Sequence, residues 1–226
     1  MGSETLVNGD SCPKCGGTLW VVGSDGMVRC DCFEKKIKLG KAQKLVEQSG
    51  LRGALLKKSF DNYHPKTKQQ KDALEKVKKG GSFFLIGDWG VGKTHLLAAS
   101  VNEAVKAGVS TVFFSVPWLL QMIRDDLFSN RPIGVMDIVS EVEYLALDDL
   151  GKEKPTDTVQ EKLFMILDRR EIGGLRTSVT SNYDPDTLRS EKVDGAIVSR
   201  LLGMCEVVVI EGPDHRFQGK KKQKEE

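Results

Sequence analysis

The chain is poor in several things that would have marked it early. No apolar run in its 226 residues approaches the ~18–20 needed to cross a bilayer. Its first ten residues, MGSETLVNGD, are polar and acidic and lack the apolar segment of a secretory signal. Leu6 occupies the position where a myristoylation signal needs Ser or Thr. There is no internal repeat and no GxGxxG string, which argues against a dinucleotide fold. Net charge is also nearly absent, at +2, while 39% of residues are hydrophobic. That composition is far from the disordered corner and can bury a sizeable core. These absences exclude a secreted, membrane or fibrous protein, so a cytoplasmic setting is expected.

The small total charge conceals an asymmetry. Residues 33–79 hold 14 Lys/Arg against 5 Asp/Glu, a net +9 that leaves −7 on the rest of the chain. A basic segment on an acidic protein points to a polyanionic or acidic partner; a solvated Lys-rich helix face is the plainer alternative. Aromatics that would interleave with these cations for single-stranded DNA are few, namely Phe33, Phe60 and Tyr63.

Four of the five cysteines fall within the first 32 residues. A reducing compartment makes disulfides the wrong default. Cys12-x-x-Cys15 forms a knuckle around Pro13, and Cys30-x-Cys32 supplies a second pair after 14 intervening residues. Four thiolates suit a closed, structural, tetrahedral Zn²⁺ site. A short Gly-rich segment cannot bury a core, so the metal would supply most of its folding energy. Cys205, alone, reads as a buried small hydrophobe.

The chain divides into a zinc module (1–33), a basic helical linker (34–79), an α/β domain (80–217) and a disordered charged tail (218–226). Within 80–217, strands at 83–87, 111–116, 144–149, 177–182 and 205–211 alternate with helices at 94–107, 117–128, 137–142, 158–172 and 194–202. This alternation predicts a parallel five-stranded sheet flanked by helices.

Between the first strand and its helix lies Gly87-Asp88-Trp89-Gly90-Val91-Gly92-Lys93-Thr94, a G-x-x-x-x-G-K-[ST] phosphate loop. Its glycines allow backbone N–H groups to face phosphate oxygens, and the helix start adds its positive dipole end. Lys93 would meet the β and γ phosphates and Thr94 would offer its hydroxyl to Mg²⁺. His95, next in line, counts with the ATP-binding stretch but reads as structural. Trp89 reads as a packing or lid residue, and His64 and His215 as ordinary turn residues. Fifty-five residues after Lys93, the strand Leu145-Ala146-Leu147 ends in Asp148 and Asp149. We assign Asp148 to Mg²⁺ and Asp149 to the attacking water; many ATPases use the longer Glu at the second position. Asn182 closes the following strand, where an amide can touch the γ-phosphate.

The strings GDWGVGKTHLLAA, LALDDLG, VTSN and IVSRL, in this order, resemble AAA+ helicase loaders of the DnaC/DnaI type and the related IstB transposition ATPases. Ser59-Phe60-Asp61-Asn62-Tyr63 is similar to the F-x-N-Y/F string upstream of their ATPase core, and CPKC…RCDC to prophage and Gram-positive loaders. The resemblance spans roughly residues 10–217. It implies an AAA+ P-loop ATPase in which Lys93, Thr94, Asp148, Asp149 and Asn182 serve the site. Arg200, in Val198-Ser199-Arg200-Leu201, matches an arginine finger entering a neighbouring subunit's site. Arg216 looks like a second sensor that binds ATP, although no lid domain follows it. Phe60 and Tyr63 would flank the adenine, and helix 117–128 would approach single-stranded DNA. Expected partners are the replicative helicase, single-stranded DNA and further copies in a homo-oligomer. A transposition helper and a non-hydrolysing nucleotide switch are the alternatives.

Overall fold

The computed structural model describes residues 12–23, 26–30, 32, 51–126, 134–152 and 156–218. The first half of the basic stretch, the end of the helix expected at 128 and the charged tail beyond 218 lie outside the described residues.

The N-terminal part is a two-stranded antiparallel hairpin, β1 (Trp20–Gly23) and β2 (Gly26–Arg29). The cysteines form its core, with Val21 packed against them.

The larger part starts with a 3-10 turn, Gly53–Lys57, and helix α1 (Lys68–Lys78). Then come β3 (Phe83–Ile86), α2 (Lys93–Lys106), β4 (Thr111–Ser115), α3 (Val116–Asp126) and α4 (Val135–Glu141). The chain continues through β5 (Tyr144–Leu150), α5 (Asp157–Ile172), β6 (Arg176–Ser181), α6 (Gly195–Met204), β7 (Glu206–Val209) and α7 (His215–Gln218). The five strands β3–β7 form one parallel sheet in the order β4-β5-β6-β3-β7. Among the described residues no helix is long and apolar enough to cross a membrane.

Strands β3, β4 and β5 are buried on both faces, which is why they read as near-continuous apolar runs; β6 is buried but carries Thr and Ser, and β7 leaves Val207 and Val209 exposed. Successive side chains alternate faces. Phe84 and Ile86 pack with Phe114, Leu147 and the apolar sides of α3, α5 and α6. Phe83 and Leu85 pack with Leu96, Leu97 and Val101 of α2 on the other side.

Residues 51–79 depart from the expected linker. Leu51, Tyr63, Ala73, Leu74 and Val77 are buried in the same core as β3 and α2, so no boundary falls at residue 79. Lys68, Lys71 and Lys78 lie on the outer face of an amphipathic helix. For these three cations the plainer reading, a solvated helix face, holds. The last strand is also shorter than expected: Cys205 precedes it, is buried, and its thiol donates to Thr177 O at 3.3 Å. Burial pushes that thiol up to about 12.

Arg170 is the largest fully buried side chain. Its guanidinium donates to Val139 O and Val142 O, both at 2.8 Å, to Thr177 Oγ1 at 2.9 Å and to Arg176 O at 2.5 Å. Two of those carbonyls end α4, where a helix leaves acceptors unpaired and favours a cation. One buried side chain thereby ties α4, α5 and the start of β6 together. Burial pulls its pKa down to about 10, so it still carries its charge at neutral pH.

The strand order brings the chemistry together. β6 lies between β3 and β5, with Ile86 paired to Ser181 and Leu150 paired to Ser181. All the strands are parallel, so the residues following β3, β5 and β6 emerge along one edge. In open α/β sheets that edge is where ligands bind.

Candidate active site and metal centre

The phosphate loop follows β3 and leads into α2. Its shape depends on backbone conformations and close contacts that exclude a side chain. Gly92 has φ +102°, and a Cβ there would lie 2.7 Å from the Tyr63 ring; Gly90 has φ +77°, and a Cβ would overlap the Asp214 carboxylate.

Four loop carbonyls are held by donors from the protein. Lys93 Nζ donates to Gly87 O and Asp88 O, each at 2.7 Å. His215 N–H donates to Gly90 O at 3.1 Å. Val91 O accepts from Gln70 Nε2 at 3.1 Å and from Tyr63 Oη at 3.4 Å. In a trans peptide the carbonyl and the next N–H point oppositely. Holding the Val91 carbonyl from the buried Gln70 therefore turns the N–H of Gly92 the other way, where it can face an anion.

Lys93 is only 5% exposed. Its ammonium also donates to Asn182 Oδ1 at 2.7 Å, linking the loop to the end of β6. Burial lowers its pKa; Asp149, Asp148 and Asp88 oppose that shift and Arg216 adds to it.

Thr94 Oγ1 donates to Asp148 Oδ1 at 3.1 Å, and Thr180 Oγ1 donates to the same oxygen at 2.6 Å. Asp148 is 6% exposed, and burial pushes its carboxyl up to about 6 despite both hydroxyls and Lys93. A hydroxyl and a carboxylate converging in this way are the hard oxygen donors that Mg²⁺ takes. Asp149 lies within the irregularity of the β5–β6 pairing between Leu147 and Leu150 and sits at φ +64°, unusual for a residue with a Cβ. Its N–H donates to Thr180 Oγ1 at 3.0 Å and its carboxylate lies 3.5 Å from Lys152 Nζ.

These groups border a cavity of about 530 Å³, a volume suited to a nucleotide-sized ligand. Its lining includes Trp89, Gly90, Gly92, Lys93, Thr94, His95, Asp149, Asn182 and Arg216. Among the described residues, Lys58, Lys93, Lys152 and Arg216 face it against the single lining carboxylate of Asp149, so the cavity favours a polyanion.

The predicted residues separate into three groups. Lys93, Thr94, Asp148, Asp149, Asn182 and Arg216 come together, with His95 beside them, its ring 3.0 Å from Ser59 O and edge-on to Tyr63. Val91 is fully buried in the core, so its contribution is backbone only. Gly87 and Asp88 meet the lysine through their carbonyls. Arg200 is elsewhere: it bridges Asp168 at 2.6 Å and Glu171 on α5 and lies over the Phe164 ring. Of the two aromatics expected beside a base, Tyr63 lines the cavity whereas Phe60 packs against the core. Trp89 is 57% exposed and edge-on to Tyr183.

Sequence reasoning missed several residues. His215, read as an ordinary turn residue, holds the loop at Gly90. Thr180 stands inside the VTSN string and bridges both aspartates, yet only Asn182 drew a role there. Gln70 belongs to a capping box, Thr67-x-x-Gln70, whose pattern was visible but whose reach to the loop was not.

At the other end, the sulfurs of Cys12, Cys15, Cys30 and Cys32 all lie within 4.8 Å of one another. Tetrahedral zinc–thiolate bonds of about 2.3 Å place sulfurs roughly 3.8 Å apart, and Cys12–Cys30 and Cys15–Cys32 measure 3.9 and 3.3 Å. Backbone N–H groups of Cys15 and Lys14 pull the Cys12 thiol down, whereas burial and the neighbouring sulfurs push the Cys32 thiol up. The four side chains therefore fit a Zn²⁺ ion in donor type and spacing.

Among known proteins, residues 56–223 match the family described as IstB-like ATP binding protein. The chain is 29% identical over 150 residues to the replicative helicase loader DnaI of Bacillus subtilis (strain 168), covering 61% of this chain and 48% of that one. It is 28% identical over 176 residues to the replicative helicase loader DnaC of Escherichia coli (strain K12), covering 72% and 71%. A crystal structure of the DnaC helicase loader aligns with a TM-score of 0.65 at 26% identity, over 71% of this chain and 100% of that one. The match thus spans about half the length of the Bacillus protein.

Proposed function

The chain belongs to the IstB-like ATP binding protein family, and from that premise we propose that it is an ATP-hydrolysing loader of a replicative DNA helicase. The carrying observation is the convergence of Lys93, Thr94 and Asn182 on one cationic cavity, with Asp148 hydrogen-bonded behind Thr94. Similarity to two proteins described as replicative helicase loaders supports the choice of partner.

In this reading the loop amides and Lys93 bind the triphosphate. Thr94 and Asp148 would hold Mg²⁺, which supplies charge neutralisation of the phosphates. Asp149 accepts a proton from the attacking water, and Asn182 orients that water or the γ-phosphate. Arg216, already facing the cavity, contacts the nucleotide. Cys12, Cys15, Cys30 and Cys32 would hold Zn²⁺, which supplies folding energy to a module that docks on the helicase. The ATP-bound form grips single-stranded DNA or helicase, and hydrolysis releases it.

Arg200 serves the site of a neighbouring copy in a homo-oligomer, leaving Asp168 and Glu171 to do so. Arg200→Ala should keep the nucleotide affinity of the isolated chain. Oligomer-dependent phosphate release should fall by about 10³-fold, as for loss of an arginine finger; unchanged release would make Arg200 a purely local ion-pair partner.

One Zn²⁺ per chain is expected by elemental analysis of the full chain. Cys12→Ser should lose most of it, because three thiolates leave the site open. Full metal content in that variant would remove Cys12 from the ligand set.

The direct test is capture from host lysate with the full chain as bait, with and without ATP, followed by phosphate release with the captured partner and single-stranded DNA. A replicative DNA helicase and stimulated hydrolysis are expected. Capture of a transposase would favour the transposition helper, and absence of hydrolysis under every condition would favour a nucleotide switch.

A further inference from the structure

We propose that Gln70 is a positioning residue for nucleotide binding: from α1 it locks the phosphate loop to the strap of residues 210–216, and the lock holds only while His215 is neutral. The proposal rests on reading the loop as an ATP site and adds a residue and a switch to it.

Gln70 is fully buried, and its side-chain amide is fully used. Oε1 accepts from the N–H groups of Lys66 at 2.7 Å and Thr67 at 3.3 Å. Those partners can only donate, so they fix which end of the amide is oxygen. Nε2 is then a donor twice over. One hydrogen goes to Val91 O at 3.1 Å, and the other points to His215 Nε2 at 3.1 Å. An amide nitrogen accepts nothing, so His215 Nε2 must present its lone pair. His215 is therefore neutral, with its proton on Nδ1. A second proton would set two donors face to face inside the contact.

The same corner carries further links between α1 and the strap. Thr67 Oγ1 accepts from Gln70 N and donates to Glu211 O at 2.7 Å. Gly212 lies so close that a Cβ would stand 2.6 Å from Gln70 Nε2. The strap in turn reaches the loop through His215 N–H and Gly90 O. With the Val91 carbonyl held at the back, the N–H of Gly92 is turned the other way. Gly92, Lys93 and Thr94 line the cavity, so Gln70 orients an amide on the ligand side without touching ligand.

The charged groups around His215 are Lys66 before α1, Asp214 and Arg216 on the strap, and His95 from α2. Burial and Lys66 hold its pKa below the ordinary histidine range, and Asp214 opposes them. The lock is thus closed at neutral pH and opens on acidification.

The test is calorimetric titration of the full chain with MgATP at pH 7.5 and pH 5.0, using wild type, Gln70→Met, His215→Gln and the double variant. Asp148 titrates in all four, so its contribution cancels between proteins. Gln70→Met fills the same space without donors and should weaken binding at pH 7.5 by about tenfold, the effect of one buried hydrogen bond with its unpaired partner. His215→Gln offers an acceptor that does not titrate. The loss of affinity on acidification should be about threefold larger for wild type than for His215→Gln, and that difference should vanish on the Gln70→Met background. Wild-type affinity in a cooperatively melting Gln70→Met protein would make Gln70 purely structural and overturn the proposal. If Gln70→Met does not fold, coincident pH profiles of wild type and His215→Gln overturn the switch. Failure of wild type to bind MgATP at pH 7.5 would instead overturn the ATP-site reading beneath both.

Discussion

Replacing Lys93 by alanine should reduce MgATP affinity by about 10²-fold or more, the scale of losing two charge-assisted hydrogen bonds in a desolvated site. The buried ammonium makes three hydrogen bonds, two to its own loop and one to Asn182. Alanine would leave the Gly87 and Asp88 carbonyls and the Asn182 amide oxygen without that donor, and the cavity without one of its lining cations. Lys93→Arg should not rescue binding, because a planar fork cannot satisfy three acceptors arranged around a point. Calorimetric titration measures this directly. Wild-type affinity in Lys93→Ala would mean that nucleotide binds elsewhere on the chain.

Asp148→Asn should separate stability from function. Burial holds the Asp148 carboxyl at about 6 in the folded protein, against about 3.9 for an unfolded chain. The folded state therefore binds a proton before the unfolded state does. The cost of the buried charge is fully present above about pH 6 and is relieved as pH falls from about 6 towards 4. A shift of this size corresponds to roughly 3 kcal/mol at neutral pH. Asparagine removes the charge and can still accept from Thr94 and Thr180. The nucleotide-free variant should melt about 5–10 °C higher at pH 7.5, with the advantage shrinking at pH 5. The proposed Mg²⁺-dependent hydrolysis should be lost, because a neutral amide is a poor ligand for a hard dication. Differential scanning calorimetry at the two pH values, beside phosphate release, tests both halves. A lower melting temperature at pH 7.5 would show that the carboxylate stabilises the fold rather than straining it.

Both experiments exploit features that were partly visible in the residues alone. The loop string, the acidic pair and the terminal Asn could be read because each is local: a strand of apolar residues followed by a few residues with special chemistry. Strands β3, β4 and β5 were legible for the same reason, since strands buried on both faces are near-continuous apolar runs. What covers the back of the loop was not legible. Gln70 and Val91 are 21 positions apart, and Gln70 and His215 are 145 apart. The Lys-rich character of residues 51–79 also misdirected the reading, because outward-facing lysines dominate composition while Ala73, Leu74 and Val77 do the packing. Arg170 shows the opposite case. It sits in the last turn of a charged helix and would pass for a surface residue, yet it is fully buried and held by three carbonyls and the Thr177 hydroxyl.

The amino-acid order by itself determined which residues form strands, where the anion-binding turn lies and which thiols can gather round one ion, since those depend on neighbours along the chain. Only the folded chain decided that β6 inserts between β3 and β5 to bring Asn182 against Lys93, that the upstream helix closes the core, and that Arg200 stands apart from its own chain's cavity. Such outcomes depend on which buried surfaces and unpaired polar groups satisfy one another across long stretches of chain.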